Sequence, residues 1–140
     1  MFKNILIAYD GSEHARKAVK IARELIREQN QEVMFRIVTV MDSPPWEMGE
    51  PYLSEFIGQR TNEGQKLIQE AAASMSDDSE IHSELLFGSP ADCILQVAET
   101  RNCDLIVMGT RGLGVLQGIL LGSQTQKVIS HAHCPVLVVK

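Results

Sequence analysis

Cysteine is scarce in this 140-residue chain, with Cys93, Cys103 and Cys134 as the full complement. Their odd number, and the lack of any CxxC or zinc-like spacing, argue against a disulfide framework and a structural metal site. Buried, reduced thiols are the expected state. Basic runs are missing too. Lysine and arginine number 13 against 18 aspartates and glutamates, a formal net charge of −5. No stretch gathers the cations that a nucleic acid or an anionic membrane surface would attract. Long apolar runs are also lacking. The N-terminal "MFKNILIAYDGSE" has one lysine and a brief apolar stretch before Asp10, too short for a signal-peptide core or a membrane span. The expectation is a cytoplasmic protein with no nucleic-acid partner and no membrane insertion.

The residues present are 44% apolar, enough for one substantial core, and the length suits a single domain over residues 1–140. Residues 4–9, "NILIAY", form a continuous apolar run stopped by Asp10-Gly11, as a buried strand entering a turn would. Ala15, Ala18, Val19, Ala22, Leu25 and Ile26 then recur at helical spacing behind Ser12, a candidate N-cap. "VMFRIVTVM", 33–41, reads as a second strand ended by "DSPP". Residues 43–58 read as an irregular, mobile excursion, after which Leu67, Ile68, Ala71, Ala72 and Met75 recover a helical stripe.

The weaker alternation of "SEIHSELLFG", 79–88, suits an edge strand, and Ser89-Pro90 announces a helix with Ser89 as N-cap. "DLIVM", 104–108, is a fourth strand running into a glycine cluster; Ser123 caps a helix to about Ala132, and "VLVVK" forms a fifth strand. This alternation predicts an α/β fold, an open, parallel, five-stranded sheet with helices on both faces; as a Rossmann-like sheet its expected strand order is 3-2-1-4-5.

In such a sheet, ligands bind outside the C-terminal strand ends where the strand order reverses. Five of the ten glycines fall between Gly109 and Gly122 in "MGTRGLGVLQGILLGSQTQ". A strand, a glycine loop and a helix N-terminus together make an anion site. The standard nucleotide motifs nevertheless fail. Val115 and Leu116 stand where Walker A needs lysine and a hydroxyl residue, and Gly112-x-Gly114 has no third glycine in place.

The pattern that does occur, Gly109-x-x-Gly112, nine further residues, then Gly122-Ser123, resembles the ATP-binding signature of the universal stress protein family. "ILIAYDGSE" and "GSPADCILQVAE" extend the likeness along the chain. The resemblance implies an ATP-binding, nucleotide-responsive regulatory module of the stress response with at most slow ATP hydrolysis. Asp10 would lie beside ribose and adenine, with the backbone around Val40 at the adenine edge. Gly109, Arg111, Gly112, Gly122, Ser123 and Gln124 would surround the phosphates, which would carry Mg2+ or Mn2+. Gln124 departs from the aliphatic residue the family commonly has there, and either donates to a phosphate or faces solvent. The resemblance also implies a homodimer paired through the C-terminal strand, 136–140, and a protein partner whose identity the chain does not reveal.

Plainer readings stand beside these. Asp10 closes a turn, Arg111 is a surface arginine, His14 is a solvated helix residue, and His131 caps a helix end while His133, two residues on, cannot pair with it for a metal. Leu113, Val115, Leu116, Ile119, Leu120 and Leu121 must pack somewhere, because a solvated linker would be polar. Two other classes remain: a non-nucleotide dimeric interaction module of the same fold, and a flavodoxin-like electron carrier, which would want a hydroxyl-rich loop after the first strand.

Overall fold

The structure, a computed structural model, describes residues 1–29, 32–75, 80–110 and 121–140. The elements in chain order are β1 (Asn4–Ala8), α1 (Glu13–Arg27), β2 (Met34–Met41), a 3-10 turn (Trp46–Met48), α2 (Tyr52–Ala73), β3 (Glu80–Phe87), α3 (Pro90–Thr100), β4 (Leu105–Gly109), α4 (Ser123–His131) and β5 (Val136–Val139). The strands form one parallel sheet of order β3-β2-β1-β4-β5. The expected order 3-2-1-4-5 is therefore the observed one.

Strand alternation divides the core in two. Ile5, Ile7, Phe35, Ile37 and Val107 turn to the face covered by α1 and α2. Leu6, Val38, Ile106 and Met108 turn to the face covered by α3 and α4. On α1 the buried positions are Ala15, Ala18, Val19 and Ala22, small side chains that let the helix lie close to the sheet. Ser12 caps it by accepting the Ala15 N–H at 3.2 Å. The weakly alternating β3 does lie at a sheet edge. No helix among the described residues is long and apolar enough to cross a membrane.

Two expectations are corrected. Residues 43–58 are not an irregular excursion: a 3-10 turn leads straight into α2, whose 22 residues begin at Tyr52. The first turns of α2 carry no continuous apolar stripe because its fully buried residues are Gly64, Ile68 and Ala71. Local contacts support the upper half instead, with Arg60 stacked 5.1 Å over the Phe56 ring and paired to Glu63 at 2.8 Å. Such pairs are invisible to a search for buried faces. At α4, the N-cap is Gly122 and Ser123 is the first helical residue.

The three cysteines are free; Cys93 and Cys103 are buried and Cys134 half-buried. Burial pushes the Cys103 thiol from the ordinary 9.0 up to about 11, and burial likewise raises Cys93, Cys134 and Tyr9. A folded-state pKa above the unfolded value stabilises the fold below the unfolded pKa and loses that contribution as pH climbs through the folded one. Under reducing conditions the urea midpoint is therefore expected to fall between about pH 9 and 11. Cys103→Ala should flatten that fall, and equal pH slopes in both proteins would contradict the assignment.

Candidate functional site

The strand order reverses between β1 and β4, since the chain runs from β1 outward to β2 and β3 and then returns to the other side of β1. A cleft of about 210 Å³ opens there, at the C-terminal ends of β1, β2 and β4. Its walls divide chemically. Ala8, Val38, Ile94 and Met108 supply apolar surface, and Asp10, Ser12, Thr110, Gln124 and Thr125 supply polar groups.

The N-terminal ends of three helices meet at the cleft: Ser12 caps α1, Pro90 opens α3 and Gly122 caps α4. Each brings the positive end of a helix dipole to the lining, which favours an anion there; at α3, Pro90 has no N–H and the Ala91 N–H is taken by Gln124. Among the described residues Asp10 is the one charged residue of the lining. Its Oδ1 accepts the Ser12 N–H at 2.9 Å, which closes the turn between β1 and α1 and fixes where the carboxylate stands. That turn needs Gly11, whose φ of +80° is paired with a close approach by Leu67 from α2.

Val40 enters through main-chain geometry. Val38 accepts the Tyr9 N–H on the β1 side, and Met41 accepts the Gly88 N–H on the β3 side. Alternation then turns the Val40 N–H and C=O toward β1, beyond the last β1–β2 pair, Ala8 with Val38. A main-chain donor and acceptor thus stand together at the cleft.

At the end of β4, Gly109 lies against α1: a Cβ there would stand 2.6 Å from His14 Cβ and 2.7 Å from the His14 main-chain carbon. Beside it Thr110 is buried, its N–H donating to the Val139 oxygen at 2.8 Å and its hydroxyl bonded to His14 Nδ1 at 2.7 Å. His14 is half-buried, so the reading of it as a solvated helix residue is corrected. The reason is this hydrogen bond across 96 positions of sequence.

Gln124 lines the cleft with its side-chain oxygen already engaged. Its Oε1 accepts the Ala91 N–H at 2.9 Å and lies 3.4 Å from Ser89 Oγ. It thereby caps α3, the task sequence reading gave to Ser89, whose own side chain makes no capping bond. A second clasp, Lys127 to Asp92 at 2.8 Å, also joins α4 to α3 and holds the Asp92 carboxyl below its usual range. Ser123 is exposed and is not among the lining residues. Arg111 and Gly112 lie outside the described residues, as does the expected packing of Leu113, Val115, Leu116, Ile119 and Leu120; Leu121 is half-buried. His131 donates from Nδ1 to the Lys127 oxygen at 3.0 Å near the end of α4, in keeping with its helix-end reading.

Asp10, Val40, Gly109, Gly122 and Gln124 thus come together at the cleft. Sequence reasoning missed Thr110 and Thr125 in the lining, and the bond of His14 to Thr110. Thr110 had a signal, a hydroxyl residue between the two glycines of "GTRG" at the end of an apolar strand.

Comparison with known proteins gives a consistent family. The profile of the universal stress protein family matches residues 1–140. A universal stress protein from Thermus aquaticus is 42% identical over 140 residues, covering all of both chains. The solved structure of a hypothetical protein, MJ0577, superposes with a TM-score of 0.87 at 30% identity, covering 100% of this chain and 96% of that one. A universal stress protein family member from Arabidopsis thaliana, solved with AMP bound, has a TM-score of 0.71 at 20% identity, covering 99% and 91% of the two chains.

Proposed function

This chain belongs to the universal stress protein family, and on that footing we propose that its cleft binds an adenine nucleotide, ATP in the first instance, as a regulatory ligand. The observation that carries the reading is that one cleft combines an apolar lining and the main-chain donor and acceptor of Val40 with the N-terminal ends of three helices. A flat, edge-reading base suits the first and phosphates suit the second. The AMP of the Arabidopsis protein agrees, although at 20% identity that likeness is one of fold alone.

In this reading Val40 meets the adenine edge and Asp10 accepts hydrogen bonds from the ribose hydroxyls, its charge being unsuited to a phosphate. Gly109 and Gly122 would line the phosphate path, the family resemblance adds Arg111, Gly112 and Ser123 as phosphate contacts, and Gln124 joins the N-termini of α3 and α4. Mg2+ or Mn2+ would ride mainly on the phosphates. Only one carboxylate, Asp10, lines the cleft, and no group of three metal-ligating side chains occurs among the described residues. Hydrolysis is at most slow: the lining offers no lysine for the phosphates, and His14 Nδ1 is already engaged by Thr110.

β5 stands at a sheet edge, and an apolar edge strand calls for a partner or a cover. A homodimer through 136–140 is therefore proposed, and a sedimentation mass of one chain at micromolar concentration would overturn it. The nucleotide itself is tested by denaturing the purified protein and chromatographing the supernatant. Adenine nucleotide near one per chain is expected, or uptake of added ATP if the protein purifies empty. A protein that neither releases nor takes up nucleotide would instead be an interaction module of the same fold.

A further inference from the structure

The segment between β2 and the upper half of α2 takes no part in the cleft beyond Val40, yet it is an ordered piece of the molecule. Met48 N–H donates to the Pro45 oxygen and Leu53 N–H to the Gly49 oxygen, each at 2.9 Å, and the Ser54 hydroxyl donates to Glu50 Oε2 at 2.6 Å. Pro44, within it, is buried. On this scaffold Trp46 is 67% exposed, Tyr52 62% and Met48 47%. Half of the six large apolar side chains exposed among the described residues therefore fall within seven positions of sequence. Tryptophan and tyrosine are the side chains that most often dominate binding energy, and methionine adapts to partners of varied shape. A small domain with 5% aromatic residues has little reason to hold them out in water.

The charge around them has one sign. From Ile37 to Gln59 there is no lysine, arginine or histidine, while Asp42, Glu47, Glu50 and Glu55 surround the three apolar residues in sequence. No cation pairs with any of these four carboxylates among the described residues; the nearest in sequence, Arg60, is held by Glu63 and Phe56. We propose that this surface docks a cationic amphipathic segment of another protein, with apolar side chains on Trp46, Met48 and Tyr52 and lysines or arginines on the carboxylate rim. Charge complementarity selects that occupant. Anionic lipid and nucleic acid would be repelled, and a second copy on a two-fold axis would set the same four carboxylates against one another.

Trp46 is the only tryptophan, so its fluorescence reports the surface directly. The probe is an 18-residue synthetic peptide of leucine and lysine at helical spacing, titrated into the full chain. A saturable blue shift of Trp46 emission is expected. Affinity should weaken roughly tenfold between 50 and 300 mM salt, because rim charges are screened over about 8–10 Å. Met48→Ala with Tyr52→Ala should weaken binding about tenfold, and Glu47→Gln with Glu50→Gln should reduce the salt dependence. The same peptide with glutamate in place of lysine, and one with serine in place of leucine, should give no saturable shift. The proposal is overturned if the leucine–lysine peptide gives no shift, or if the serine–lysine peptide shifts Trp46 equally. A shift produced by phosphatidylserine vesicles, or by raising protein concentration alone, would also overturn it. Added ATP is not needed for any of these readings, so the outcome is independent of the nucleotide assignment.

Discussion

Replacing Gly109 with valine is expected to destabilise the protein by about 3 kcal/mol, a drop of roughly 10 °C in Tm for a domain of this size. The first Cβ at this position already meets His14 Cβ at 2.6 Å, the His14 main-chain carbon at 2.7 Å and the Ala15 nitrogen at 3.0 Å. Two of these neighbours are main-chain atoms of α1, so no rotamer change relieves the overlap. The helix must lift away from β4, and with it would go the hydrogen bond between His14 and Thr110. Gly109→Ala should show most of the same loss. Gly58 supplies the contrast, because it lies within α2 with nothing inside 4 Å of a Cβ; alanine there should be neutral or stabilising by up to about 1 kcal/mol. Urea midpoints of the three variants check this, and equal stabilities would contradict the close packing.

Gly122→Val should behave in the opposite way, keeping the fold and losing the ligand. Gly122 caps α4 at φ −70° and ψ 160°, extended backbone that valine adopts without strain. The cost to folding should stay within about 1 kcal/mol, the usual penalty for a poor cap. An isopropyl group at the α4 end of the cleft would, however, occupy the approach to the N–H groups proposed to meet phosphate. The expected loss in ATP affinity is about 100-fold, near 2.7 kcal/mol. Gly109 and Gly122 both line the cleft, but only Gly109 is also packed against α1. Calorimetric titration with a parallel unfolding curve separates the two effects, and unchanged affinity in a folded Gly122→Val protein would remove the phosphate role.

The strands were legible because a buried parallel sheet writes its residues as unbroken apolar runs, as in "NILIAY" and "DLIVM". The parallel sheet followed from the alternation of strands and helices, and the edge position of β3 from its mixed polarity. The upper half of α2 was not legible, since its support comes from the Arg60 contacts with Phe56 and Glu63 and not from a buried stripe. At the cleft, Asp10, Val40 and Gly122 could be placed because each ends a strand or begins a helix at the reversal of strand order. Gln124 could not. Its oxygen caps a helix 33 positions earlier in the chain, and that depends on the apposition of α3 and α4. The pairing of His14 with Thr110 is hidden for the same reason. Position in a fold can be read from local pattern, whereas the partner of a polar side chain is set by tertiary contact.

The most direct test of the central reading is calorimetric titration of the full chain with ATP in the presence of Mg2+, after any co-purified nucleotide has been removed. Saturable heat with about one nucleotide per chain is expected, abolished or strongly weakened by Gly122→Val but not by Gly58→Ala. No heat up to millimolar ATP in a folded protein would contradict the account.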